Sequence, residues 1–263
     1  SARQDILKKL SFYGHNKNLD MLMFLKKVPI LMYHSISDDK YFLSTSVKAF
    51  NQQMCFLKNL GFSTINFSDL HIDNYKKFII TFDDGYSDNY LNALPILKNY
   101  NFSATCFVVS EKINFYNDWD CGHSKFLKKS IMSTTQIKDW LSSNCHIGSH
   151  TSNHANLNSN SAEFLENEIL ESKKKLSHIF DVPVNTFSYP YGKLNRNSYK
   201  MVKENFNYAV TTLRGRYDKG TCNNHLLPRI PINSGTSLLK FALKLLTFYE
   251  DIKYKNNYEL QLL

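Results

Sequence analysis

The segment Lys77-Phe-Ile-Ile-Thr-Phe-Asp-Asp-Gly85 decides the fold of this 263-residue chain. Its first six residues are mostly apolar, and they predict a buried strand that ends directly before two adjacent carboxylates. Similar apolar runs occupy residues 28–33, 103–109 and 208–213. Helical patterns lie between such runs, and the clearest covers residues 161–180. The alternation of strands and helices predicts parallel βα units, and a chain of this length is commonly one domain of the α/β class.

The composition is that of a globular protein, with 43% hydrophobic and 21% charged residues. The formal net charge of +9 would suit a polyanionic partner if the lysines were clustered. They are scattered, and their longest run, Lys173–Lys175, falls on a helical pattern where a solvated face is the simpler interpretation. We therefore expect no nucleic-acid partner.

Five cysteines form no Cys-x-x-Cys pair, and their odd number cannot be fully paired within one chain. Reduced thiols favour a cytoplasmic or membrane-peripheral location. The chain begins at Ser1, which leaves room for an upstream targeting segment, so the location stays open. No apolar stretch reaches the 18 residues of a membrane span, and the apolar helix predicted over residues 237–249 either docks on the domain or lies on a membrane surface.

Several polar residues stand where predicted strands end. Because the carboxyl ends of parallel strands converge on one face of an α/β domain, these side chains are expected to meet there. They are His34, Asp83, Asp84, His150, His154 and Tyr191.

Two pairs among these residues suggest a metal site. Adjacent carboxylates such as Asp83 and Asp84 repel each other after a buried strand, and a cation would relieve that repulsion. His150 and His154 are four residues apart, which on a helical turn places both imidazoles on one side. Alone, the acidic pair could form a turn or a helix cap, and the histidines could be structural. Together they form a ligand set that leaves a position for water and a second carboxylate as base.

These residues resemble a known family. Thr81-Phe-Asp-Asp-Gly85 and His150-Thr-x-x-His154 are similar to the first two motifs of the polysaccharide deacetylases, carbohydrate esterase family 4, which share the NodB homology domain. Phe187–Gly192 resembles the third motif. The resemblance implies a single distorted (β/α) barrel as the catalytic domain, over residues 28–263. Separately, we expect residues 1–27 to form an N-terminal helical extension.

The resemblance also implies an activity. It is the hydrolytic removal of N-acetyl groups from an N-acetylated sugar of a polysaccharide, oligosaccharide or glycolipid, such as a cell-envelope polysaccharide, with release of acetate. One divalent ion, commonly Zn²⁺ in this family, would be bound by Asp84, His150 and His154, and Asp83 would be the general base. The backbone N–H of Tyr191 would stabilise the oxyanion.

The sequence departs from the family pattern in two places. Ser188 stands where the family often has an arginine that contacts the base, and we hypothesise that Arg229 supplies this charge instead. The usual C-terminal acid histidine has no convincing equivalent, because His225 precedes an apolar run instead of following one. Met32-Tyr33-His34 resembles the rearranged order of bacterial poly-N-acetylglucosamine deacetylases, so we expect His34 to be the general acid.

Three questions remain open at this level. Trp119 either lines the acetyl pocket or packs in the core or in a loop. The motifs specify the reacting centre, so an O-acetyl ester or a non-carbohydrate amide is an alternative substrate. The missing third-motif arginine also leaves open a glycan-binding homologue without catalysis. Contact of the protein with a membrane surface is a further expectation that the motifs do not address.

Overall fold

A computed structural model describes residues 27–72, 76–122, 126–158, 161–247 and 249–253. The helical extension expected over residues 1–27 lies outside these residues, apart from Lys27. All five cysteines are free thiols, as their number and spacing predict.

Strands and helices alternate along the described residues. The strands are β1 (Ile30–Tyr33), β2 (Ser35–Ile36), β3 (Ser44–Thr45), β4 (Ser63–Thr64), β5 (Lys77–Phe82), β6 (Thr105–Val108), β7 (His146–Ser149), β8 (Thr186–Ser188), β9 (Tyr208–Arg214) and β10 (Leu227–Pro231). The helices are α1 (Val47–Asn59), α2 (Leu94–Tyr100), α3 (Thr134–Ser142), α4 (Ala162–Phe180), α5 (Arg196–Asn205), α6 (Leu238–Leu246) and α7 (Tyr249–Lys253).

Seven parallel strands close into a barrel in the order β1-β10-β9-β8-β7-β6-β5. The barrel closes because β1 pairs with β10 on one side and with β5 on the other, where Leu31 lies opposite Ile80. The short strand β4 adds to the outer side of β5, and β2 pairs with β3 separately. The predicted α/β class and (β/α) barrel are confirmed.

Side chains alternate across the barrel wall and form two cores. Outward residues such as Leu31, Ile80 and Cys106 pack against the helices in the larger core. A second cluster joins the inward residues of five strands, Ile30, Ile79, Phe107, Val210 and Leu227, with Phe67. The same alternation points Thr81, Ser188 and Arg229 inward, one step closer to the carboxyl ends of the strands. The barrel is therefore apolar at its base and polar towards the face where the site lies.

The helix predicted over residues 90–100 differs from the structure at its start. Residues Asn89–Ala93 form a π-helical turn, and the regular α-helix α2 begins only at Leu94. Pro95 explains this boundary, because proline has no N–H to donate and suits the first turn of an α-helix.

The helix predicted over residues 237–249 is divided. It ends at Leu246, Thr247 is extended, and a new short helix begins at Tyr249. Helix α6 docks through Phe241, whose ring contacts Phe56 of α1 edge-on at 6.2 Å, while Leu239 remains exposed. Within the described ranges no helix combines the length and the apolar character needed to cross a bilayer.

Candidate active site

The two carboxylates reach the site by different backbone routes. Asp83 continues β5 and points into the barrel, and its N–H donates to the carbonyl of Tyr33 on β1 at 3.0 Å. Consecutive residues of a strand face opposite sides, so Asp84 would point away if the strand continued. Asp84 instead has a φ of 74° and Gly85 a φ of 78°. This left-handed turn brings Asp84 to the same side as Asp83.

The two histidines come from a turn, so the helical geometry expected for them is wrong. His150 follows β7, but Thr151 and His154 have φ values of 64° and 61°. A β-branched residue such as Thr151 rarely adopts this conformation, and strained residues of this kind concentrate at functional sites. The turn still brings the rings together, with their centroids 4.8 Å apart.

Asp84, His150 and His154 have the geometry of a metal-binding group. Their ligand atoms lie within 4.8 Å of one another, and all three residues are buried. Nε2 of His150 is 3.5 Å and Nε2 of His154 is 3.3 Å from Oδ1 of Asp84. Zinc ligands at about 2.0–2.1 Å with tetrahedral angles lie about 3.3–3.4 Å apart, so these two distances to Asp84 match the spacing of ligands around a single ion.

A backbone contact orients one of these rings. Nδ1 of His150 lies 2.7 Å from the carbonyl oxygen of Ser188, and a proton on Nδ1 leaves Nε2 free as a ligand atom. Burial raises the pKa of Asp84, but its contacts with the imidazoles of His150 and His154 outweigh this effect and hold that pKa well below its ordinary value. Asp84 is therefore ionised at neutral pH, as a metal ligand must be.

Arg229 contacts Asp83 and supplies the positive charge that the uncharged side chain of Ser188 cannot provide. Its Nη1 donates to Oδ1 and its Nη2 to Oδ2 of Asp83, both at 2.7 Å. The guanidinium also donates to the carbonyl oxygen of Thr211 at 2.9 Å, and Arg229 is fully buried. Burial raises the pKa of Asp83, but the charge and hydrogen bonds of Arg229 outweigh it and lower that pKa. The pair keeps Asp83 ionised inside the barrel.

His34 stands beside the carboxylates at the end of β1. Strand pairing places Tyr33 opposite Phe82, so His34 and Asp83 follow at neighbouring positions. Its charge lowers the pKa of both Asp83 and Asp84, although other groups contribute more. Within the described part of the chain, no hydrogen-bond partner reaches the buried Nδ1 of His34.

Trp119 and Tyr191 form a wall over the histidines. Trp119 stacks on His154 with the ring centroids 4.6 Å apart, and Tyr191 meets the same ring edge-on at 4.6 Å. The Tyr191 hydroxyl donates to Asp120 at 3.1 Å. Ser110 holds the loop that carries Trp119 against the histidine turn, because its N–H donates to the carbonyl of Thr151 at 3.2 Å. Trp119 therefore lies at the site and not in a distant core.

Comparison with known proteins assigns the family. A polysaccharide deacetylase family profile matches residues 72–210. The protein YxkH of Bacillus subtilis is 32% identical over 219 residues, which cover 80% of this chain and 73% of that protein. This chain belongs to the polysaccharide deacetylase family.

Two further matches describe its place within the polysaccharide deacetylases. A poly-β-1,6-N-acetyl-D-glucosamine N-deacetylase of Staphylococcus epidermidis is 27% identical over 164 residues, covering 59% of this chain and 54% of that protein. The crystal structure of BC0361, a polysaccharide deacetylase from Bacillus cereus, has 28% identity and a TM-score of 0.72, covering 83% of this chain and 69% of that one. The chain thus spans about half the length of the staphylococcal relative.

Some residues of this candidate site could not be identified from the sequence. Asp120 follows Trp119, and that adjacency is the only sequence signal that could have indicated it. Tyr86 and Tyr41 lie close enough to Asp84 for its charge to raise their pKa values, that of Tyr41 to about 12, although burial contributes most to both shifts. Nothing in the sequence marks Tyr41, because only tertiary structure brings its loop to the site.

Proposed function

We propose that this protein is a metal-dependent hydrolase that removes N-acetyl groups from an N-acetylated glycan or glycolipid. The observation that carries the proposal is the buried Asp83 carboxylate, held by Arg229 directly beside the group formed by Asp84, His150 and His154. A positioned base next to three side chains able to hold one metal ion is an arrangement suited to hydrolysis. The guanidinium beside Asp83 favours an active enzyme over a glycan-binding homologue without catalysis.

In the proposed mechanism, different residues bind the metal ion and accept the proton of water. A divalent ion, most simply Zn²⁺, held by Asp84, His150 and His154 would polarise the acetamide carbonyl and lower the pKa of a water. Asp83 accepts the proton of that water as it attacks the carbonyl carbon. Each carboxylate oxygen has two acceptor positions, so Asp83 can accept this proton while Arg229 holds it in place.

Collapse of the tetrahedral intermediate requires a second proton. We assign its donation to His34, which gives the proton to the departing amine so that the C–N bond breaks and acetate forms. The backbone N–H of Tyr191 stabilises the oxyanion, and Trp119 and Tyr191 present aromatic faces to a sugar ring.

The staphylococcal relative suggests the substrate class. That protein is a poly-β-1,6-N-acetyl-D-glucosamine N-deacetylase, and we propose that this chain also acts on an N-acetylglucosamine polymer of the cell envelope. The exposed Leu239 and Leu243 of α6 would let the protein approach a membrane surface, although the proposal does not require such contact.

Acetate release tests this proposal. Zinc-loaded protein is expected to release acetate from β-1,6-linked N-acetylglucosamine oligomers faster than from O-acetylated sugars or acetyl-lysine peptides. Asp83→Asn should abolish release while zinc binding, measured by calorimetry, persists. Full activity of Asp83→Asn would contradict the mechanism, and a clear preference for an ester or peptide would contradict the substrate class.

A further inference from the structure

The turn that follows the acidic pair holds the backbone of the His34 segment. Asp88, Asn89 and Asn92 lie in or beside the π-helical turn, and each donates to or accepts from residues 34–36. Asn89 Nδ2 donates to the carbonyl oxygen of His34 at 2.6 Å, and Asn92 Nδ2 donates to that of Ile36 at 2.8 Å. Asp88 accepts from the N–H of Ile36 at 2.9 Å. The backbone around His34 is therefore held from one side by a single turn.

Asn89 has the most direct contact with His34. It is fully buried, and its amide satisfies the His34 carbonyl at the point where β1 ends and its pairing with β5 stops. A partly buried carbonyl that loses its donor is left without a hydrogen bond, so the segment would shift or admit water without this amide. The contact fixes the main chain from which the imidazole projects.

The π-helical form of the turn bears on this contact. A π-helical turn, with hydrogen bonds from residue i+5 to residue i, is rare and is frequently found at functional sites. Here it lies five residues after Asp84, so one continuous segment carries Asp83, Asp84 and the amide that holds His34. One short stretch of chain therefore carries both the proposed base and the amide that contacts the main chain of the proposed acid.

A partly buried lysine also contacts the turn. Nζ of Lys129 is 3.0 Å from Oδ2 of Asp88 and 2.5 Å from Oδ2 of Asp39. Ser35 also donates to Asp88, at 2.7 Å. Lys129 thus offsets the charge of Asp88 and connects the turn to the loop that follows His34.

We infer that Asn89 is a positioning residue, which holds His34 at the correct distance from Asp83 for proton transfer to the leaving amine. The inference rests on the proposed acid role of His34. Asn89 itself touches neither substrate nor metal ligand, and its effect passes through the His34 main chain.

Asn92 provides a matched control. Asn89→Ala and Asn92→Ala each remove one amide that donates to a main-chain carbonyl from the same turn, but only the first bond belongs to His34. We expect Asn89→Ala to lower kcat for acetate release about 10- to 100-fold with little change in KM or zinc affinity, because small misplacements of catalytic groups have effects of this size. Asn92→Ala should lose stability without this loss of kcat. Equal losses of kcat in both variants would overturn the inference.

Substrates with different leaving groups distinguish a specific loss of proton donation from a general loss of activity. An aryl acetate releases a stabilised anion that needs no proton, so its hydrolysis should be nearly equal in wild type, His34→Ala and Asn89→Ala. If His34→Ala slows amide and ester alike, the proposed acid role fails. If only His34→Ala shows the amide-specific loss, the acid role stands and the inference about Asn89 fails. Should Asn89→Ala not fold, Asn89→Asp keeps the shape but places a carboxylate against the His34 carbonyl, and it is expected to show the same amide-specific loss.

Discussion

At the scale of single residues, the buried charge of Arg229 controls the ionisation of Asp83 inside the closed barrel. Asp83 is buried and would be protonated more easily for that reason alone, but Arg229 reverses the effect with two hydrogen bonds of 2.7 Å. Breaking a buried pair by removing one partner is strongly destabilising, because the remaining charge is uncompensated. Arg229 therefore supports both the fold and the ionisation of Asp83, the proposed base.

Replacing Arg229 tests this double role. Arg229→Met should lower the free energy of unfolding by about 3–5 kcal/mol at neutral pH, measured by chemical denaturation. Without Arg229, the strongest of the groups that lower the pKa of Asp83 is gone, so this pKa rises and the acidic limb of the kcat/KM profile should move to higher pH. In the wild type, the lowered pKa of Asp83 contributes stability above the unfolded-state pKa of about 3.9, and this is lost as pH falls through the folded-state pKa.

The exposed Arg196 supplies the control for this experiment. Arg196→Met should change neither the free energy of unfolding nor the acidic limb by a measurable amount. An unshifted acidic limb in Arg229→Met would show that Arg229 does not control the ionisation of the base.

At the residue scale, the sequence allowed those site residues to be predicted that directly follow a strand. Asp83, Asp84, His150 and His34 could be placed because each follows an apolar run, and the structure brings them together. Asp120 and Asn89 could not be found in this way, since their importance depends on contacts across 71 and 55 residues of sequence.

At the scale of elements, close packing inside the barrel restricts what the strands can carry. Gly148 lies on β7 two residues before His150, and a Cβ there would come within 2.5 Å of the Phe107 ring and the Thr186 hydroxyl. Both neighbours lie on adjacent strands, β6 and β8, so neither can move without disturbing the barrel wall.

We expect Gly148→Ala to lower the free energy of unfolding by about 1–3 kcal/mol, because overpacking forces side chains and backbone to shift. Gly235→Ala is the matched control, since its nearest side-chain atom would be 3.5 Å away, and it should change stability by no more than about 0.5 kcal/mol. Thermal and denaturant unfolding would measure both. Equal stability of Gly148→Ala and wild type would mean that the barrel interior is looser than this packing indicates.

The pattern of apolar residues predicted which segments form strands and helices. It did not predict the conformations of the turns. Apolar runs indicated β1, β5, β6 and β9 because buried strands need them. The π-helical turn at Asn89–Ala93 and the left-handed turn at His150–His154 have no such pattern. Their conformations depend on hydrogen bonds to other elements, such as the contact of Asn89 with His34.

At the scale of the whole molecule, barrel closure explains why distant segments share one site. Strand β1 pairs with both β5 and β10, so His34, Asp83 and Arg229 become neighbours although 195 positions separate the first from the last. The sequence indicated parallel βα units, but the closure itself was expected from the family resemblance, because no local pattern encodes which edge strands meet.

The most direct test of the account follows acetate release while Zn²⁺ is added to metal-free protein. With an N-acetylglucosamine oligomer as substrate, the rate should rise in proportion to zinc up to one equivalent and then level off. Asp83→Asn should bind one equivalent without releasing acetate, and His154→Ala should bind zinc weakly. A full rate without any divalent ion, or wild-type turnover by Asp83→Asn, would contradict the account.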